Sequence, residues 1–67
     1  MDKKIYVAGM EENMESNINS AVTAIAGVSN CVANAMKCQV LVSFDESVAG
    51  IEEAIDSAIS SCGVDAL

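Results

Sequence analysis

Apolar and polar positions alternate at the start of the chain and then fall into a longer period. Across Lys3 to Ala8, Ile5 and Val7 share one face and Tyr6 and Ala8 the other, which predicts a strand buried on at least one side. Gly9 breaks this run, and a short polar loop through Met14 follows. From Glu15 to Ala26 the period changes, with Ile18, Ala21, Val22 and Ile25 spaced i, i+3, i+4 and i+7 and Asn17, Asn19, Ser20 and Thr23 opposite them. That is an amphipathic helix, and Gly27 is placed as its C-terminal cap. Ser29 to Asn34 predicts a modest second strand and residues 39–44, QVLVSF, a clearer third, joined by a hairpin over Asn34 to Cys38. The strongest periodicity comes last: Ile51, Ala54, Ile55, Ala58, Ile59 and Cys62 mark a second helix, with Glu52, Glu53 and Asp56 in its first turns. Gly63 ends it ahead of a short strand over Val64 to Leu67.

The order strand, helix, strand, strand, helix, strand predicts an α+β, ferredoxin-like βαββαβ domain spanning residues 1–67. Right-handed crossovers place both helices on one face of a four-stranded antiparallel sheet. The two halves echo each other at their helix ends, Ile18-x-x-Ala21-Val22-x-x-Ile25 before Gly27-Val28 and Ile55-x-x-Ala58-Ile59-x-x-Cys62 before Gly63-Val64. Alternating strand directions bring three connections to one end: the loop after Gly9, the Asn34–Cys38 hairpin and the Cys62-Gly63 turn. Either edge strand, Ser29 to Asn34 or Val64 to Leu67, could pair with another copy.

Composition narrows the function. With 67 residues and only Tyr6 and Phe44 as aromatics, one thin core must be built from Val, Ile, Ala and Met. Ten acidic residues against three basic give a net charge of −7, which makes phosphate backbones and anionic lipid surfaces unfavourable partners. No nucleic-acid or membrane partner is expected, and the absence of any membrane-length apolar run predicts a soluble, cytoplasmic chain. The cysteines Cys31, Cys38 and Cys62 are odd in number and show no close-spaced metal motif. Without histidine the commonest general acid-base is missing, so no enzyme is expected.

The candidate chemistry lies in the first loop, Met10, Glu11, Glu12, Asn13, Met14 and Glu15. Its carboxylates suit a first helical turn, where negative charge complements the helix dipole by about 0.3–1 kcal/mol each. Met10 reads as an apolar anchor under the loop and Met14 as an exposed contact residue. Cys31 reads as a core hydrophobe, Cys62 as core beneath the first loop, and Cys38 as the most exposed thiol.

KKIYVAGM entering the loop, I-x-x-A-V-x-x-I-x-GV through the first helix, VLVSFD in the third strand and A-I-x-x-x-G near the end together resemble the heavy-metal-associated domains. These are the modules of copper chaperones and of metal-transporting ATPases, and the resemblance spans the whole chain. In that family a Gly-Met-x-Cys-x-x-Cys loop binds a soft or borderline metal through two thiolates. Gly9 and Met10 match this motif, but Glu12 and Glu15 stand at the thiol positions, and Val64 follows Gly63 where the family often has an aromatic or Lys. The resemblance therefore implies a non-enzymatic interaction module with a degenerate metal loop and weak or lost soft-metal binding. Its partner is a protein with a basic surface, a metal-transport ATPase among the candidates, contacted through Met10 to Glu15. The alternative is a metal carrier or sensor with altered ligands. Glu12 and Glu15 with water would take a hard divalent ion, and Met10, Cys38 and Cys62 would take copper or zinc.

Overall fold

The computed structural model describes residues 1–67. Strand β1 spans Asp2–Ala8, a 3-10 turn covers Glu12–Met14, helix α1 spans Glu15–Thr23, and strands β2 and β3 cover Val28–Asn34 and Gln39–Phe44. Helix α2 runs over Ile51–Ser61 and strand β4 is two residues long, Asp65–Ala66. The strands form one antiparallel sheet in the order β2-β3-β1-β4 with both helices packed on one face, which is the ferredoxin-like arrangement.

The burial pattern follows the sequence pattern. Ile5 and Val7 of β1 are buried while Tyr6 between them is 54% exposed, and Val40, Val42 and Phe44 of β3 all point inward. From the helices, Ile18 and Val22 of α1 and Ile51, Ile55 and Ile59 of α2 complete the core, each contributing about 1.5–3 kcal/mol of hydrophobic stabilisation. Every one of the 14 buried residues is apolar, so no polar network sits inside the sandwich.

Helix α1 and strand β4 are shorter than expected. The periodicity of α1 predicts a helix reaching Ala26, but the regular helix ends at Thr23. The Thr23 hydroxyl donates back to the Asn19 carbonyl at 2.7 Å, and Ile25 N–H donates to Val22 O at 3.1 Å in a tighter turn. Ile25 still packs against the core, so the apolar spacing persists beyond the helix that it marks. The last strand is likewise shorter than Val64 to Leu67, with Val64 buried in the core and only Asp65 and Ala66 paired to β1. Gly27 makes the sharp exit from α1 at φ +97°, where an added Cβ would lie 2.8 Å from Ile51 Cδ1 and 2.9 Å from Val48 Cγ2. At that same end Asp45 accepts hydrogen bonds from the Ser47 hydroxyl at 2.6 Å and the Ser47 N–H at 3.0 Å, which hold its carboxyl below the usual carboxylate range.

Candidate functional site

The first loop leaves β1 at Gly9, whose φ of +84° allows a turn that side-chain-bearing residues rarely adopt. Met10 then folds under the loop at 9% exposure and joins the core, as its place after the strand predicts. The 3-10 turn closes when Met14 N–H donates to Glu11 O at 2.9 Å, while Glu11 N–H meets Met14 Sδ at 3.4 Å. Met14, expected to be an exposed contact residue, is instead half-buried against the core. Its thioether folds back toward the chain and comes within 3.6 Å of a Cβ placed at Gly63, so it bridges the loop and the end of α2. Glu11, Glu12 and Asn13 are exposed.

Glu15 is used differently from its neighbours. Its Oε2 accepts a hydrogen bond from the Ala35 N–H at 2.7 Å, across 20 residues of sequence. One turn further along α1, Asn19 Oδ1 accepts from Ala33 N–H at 2.8 Å. Four residues of helix advance roughly 6 Å and two residues of strand roughly 6.7 Å. The polar i, i+4 pair on α1 therefore matches the outward N–H groups of Ala33 on β2 and of Ala35 just beyond its end. Asn19 reads as solvent-facing from the sequence alone; the signal it carries is its four-residue spacing from Glu15 beside the apolar stripe.

Glu12 and Glu15 line a cleft of about 470 Å³ with Asn34, Ala35 and Met36, so the first loop and the β2–β3 hairpin form one surface. Met36 stands 96% exposed at its lip. Of the three cysteines, Cys31 is buried, and burial pushes its thiol up to about 11. Cys38 is exposed on the hairpin with φ +53°, and its Sγ turns back to Ala35 O at 3.6 Å. Cys62 is half-buried, with Sγ 3.9 Å from Asn17 O on α1. The Cys38 and Cys62 thiols are thus directed at different backbone groups, and no three His, Cys, Asp or Glu side chains gather as a metal cluster.

The loop does not suit a soft metal. A copper(I) ion favours thiolates, whereas this loop holds no cysteine, its Glu15 carboxylate is committed to Ala35 and its Glu12 carboxylate is exposed. A hard divalent ion would need six or more oxygens, and Glu15 already has one of its two committed to Ala35.

No family model matches the chain, and no curated protein matches it. Solved structures do. The CopZ metallochaperone is 30% identical over 100% of both chains with a TM-score of 0.90. The CsoZ metallochaperone is 25% identical over 100% of this chain and 96% of its own, with a TM-score of 0.85. The yeast copper transporter domain CCC2A is 26% identical over 97% of this chain and 89% of its own, with a TM-score of 0.82. With 30% identity over the full length of both chains and the same fold throughout, this chain belongs to the heavy-metal-associated domain family.

Proposed function

We propose that the chain is a non-enzymatic, cytoplasmic interaction module of the heavy-metal-associated type, with weak or lost soft-metal binding and a docking surface at Met10 to Glu15. The observation that carries this reading is the 2.7 Å contact between Glu15 and Ala35. A carboxylate placed where a relative would carry a thiol is here an internal hydrogen-bond acceptor, so holding the loop in place does not depend on a metal. The exposed Glu11 and Glu12 leave an acidic rim beside the cleft, which favours a partner with a basic surface, such as a metal-transport ATPase.

Titration of the reduced protein with copper(I) against a competing chelator, followed by amide NMR, tests the reading. The expected result is no copper(I) taken from the chelator, and at most weak shifts at Glu12 shared by zinc and calcium. Tight binding with shifts at Met10, Cys38 and Cys62 would overturn it in favour of a carrier with relocated sulfur ligands.

A further inference from the structure

The cleft between the first loop and the β2–β3 hairpin has two walls fixed to one another. Glu12 and Glu15 form one side, and Asn34, Ala35 and Met36 the other. The 2.7 Å bond from Ala35 N–H to Glu15 Oε2 ties the walls together, so the cleft is formed before anything enters it. At about 470 Å³ it lies within the roughly 300–1,000 Å³ of clefts that hold small groups.

The charges around it are one-sided. Glu15 spends one carboxylate oxygen on Ala35 and keeps the other, and Glu12 is exposed. Neither is in an ion pair, because the single pair in the molecule joins Lys3 to Glu52. Glu11 adds a further exposed carboxylate on the same loop. The one cation on the hairpin, Lys37, is exposed; its backbone N–H donates to Asn34 Oδ1 at 3.2 Å, and its ammonium group is paired with no carboxylate. Met36, 96% exposed, gives the hairpin wall an apolar, flexible lip.

Such a cleft asks for a cationic head with several donors on an apolar stem. A guanidinium group meets both demands, since its planar fork carries five N–H donors, suits carboxylates, and is more weakly hydrated than an ammonium group. We propose, on the reading of the chain as an interaction module, that this cleft receives an arginine side chain of the partner protein, with the guanidinium between Glu12 and Glu15 and the methylene stem along Ala35 and Met36. The β2–β3 hairpin is then half of the docking surface, and arginine is its anchor. A second copy is a poor occupant, because none of the 67 residues is arginine. Lysine suits the cleft less well, as a point charge that holds its water more tightly.

A blocked glycine-arginine-glycine peptide serves as the probe, with lysine and citrulline in place of arginine as controls; citrulline keeps the shape without the charge. In amide and methionine-methyl NMR titrations at low salt, saturable shifts at Glu12, Ala35 and Met36 are expected with the arginine peptide. The lysine peptide should bind more weakly and the citrulline peptide not at all. The Glu12 carboxylate forms no ion pair within the chain, so Glu12→Gln should fold normally and weaken arginine binding roughly three- to fivefold. Met36→Ala should weaken it roughly two- to fourfold through the lost apolar contact. Glu46→Gln removes the same charge from the loop between β3 and α2, at the far end of the sheet, and should leave binding unchanged.

Equal losses in Glu12→Gln and Glu46→Gln, or full affinity in Met36→Ala, would reduce the binding to attraction by net charge and overturn the cleft. Equal binding of the arginine and lysine peptides would overturn the choice of guanidinium. Binding that emerges only in Lys37→Ala would give the cleft to the chain's own lysine. Absence of peptide binding while copper(I) stays on its chelator would end the arginine site alone. Tight copper(I) uptake would instead end the interaction-module reading beneath it.

Discussion

Cys31 faces the helices from β2 at 5% exposure, and burial pushes its thiol up to about 11 because the apolar setting disfavours the thiolate. The ordinary value is 9.0, so between pH 9 and about 11 the folded chain holds a proton that the unfolded chain has released. Folding stability is then complete below pH 9 and declines as pH rises toward 11. Chemical denaturation at a series of pH values checks this. Cys31→Ala should lower stability at neutral pH and flatten the decline above pH 9, and an unchanged slope in the variant would remove Cys31 as its source. The same burial makes Cys31 the slowest thiol to alkylate, whereas Cys38 on the hairpin is open to reagent. Neither behaviour bears on the loop, which holds no cysteine.

At the scale of elements, α1 does two jobs with two neighbouring faces. Its apolar face buries Ile18 and Val22, its Asn19 side chain accepts the Ala33 N–H of β2, and its Glu15 side chain accepts the Ala35 N–H at the start of the hairpin. Glu15→Ala should cost roughly 1–2 kcal/mol, since its bond is charge-assisted, and Asn19→Ala roughly 0.5–1.5 kcal/mol. Hydrogen exchange resolves the two: the Ala35 amide should lose protection in the first variant and the Ala33 amide in the second, with the core amides of β3 little changed. Glu15→Gln, which keeps an acceptor, should retain part of the Ala35 protection. Equal exchange at Ala35 in wild type and Glu15→Ala would show that the bond does not hold the hairpin. This contact also marks where legibility in the sequence stops. The alternation of Ile5 with Val7 and the spacing of Ile51, Ile55 and Ile59 are written by burial itself, so the strands, helices and topology can be read directly. The pairing of Glu15 with Ala35 depends on how α1 lies across β2; the Glu15–Asn19 spacing marks the two acceptors but not the strand residues they meet. The end of α1 at Thr23 is hidden for a different reason, because Ile25 continues the apolar pattern from a turn.

The whole molecule carries a net charge of −7 and a single ion pair, Lys3 with Glu52, whose side chains are 38% and 53% exposed. The hydrogen bond to Glu52 raises the Lys3 pKa. That small stabilisation is complete below the ordinary lysine value of 10.5 and lost as pH rises through the folded one. All buried residues being apolar, electrostatics act almost entirely at the surface, where ten carboxylate side chains face three ammonium groups. Self-repulsion of that kind destabilises the compact state and is screened by salt over a Debye length of about 10 Å at 0.1 M. A domain of this size has a total stability of only about 3–10 kcal/mol, so the relief of even 1 kcal/mol is visible. Thermal unfolding at pH 7 should therefore show Tm rising by roughly 4–8 °C per kcal/mol relieved as NaCl goes from about 0.02 M to about 0.5 M. The rise should shrink near pH 4, where ordinary carboxylates are about half neutral and less repulsion remains to be screened. Equal gains at both pH values would assign the effect to salt acting on apolar burial. A fall in Tm at pH 7 would mean that the Lys3–Glu52 pair and the acidic first turns of the helices outweigh the net charge.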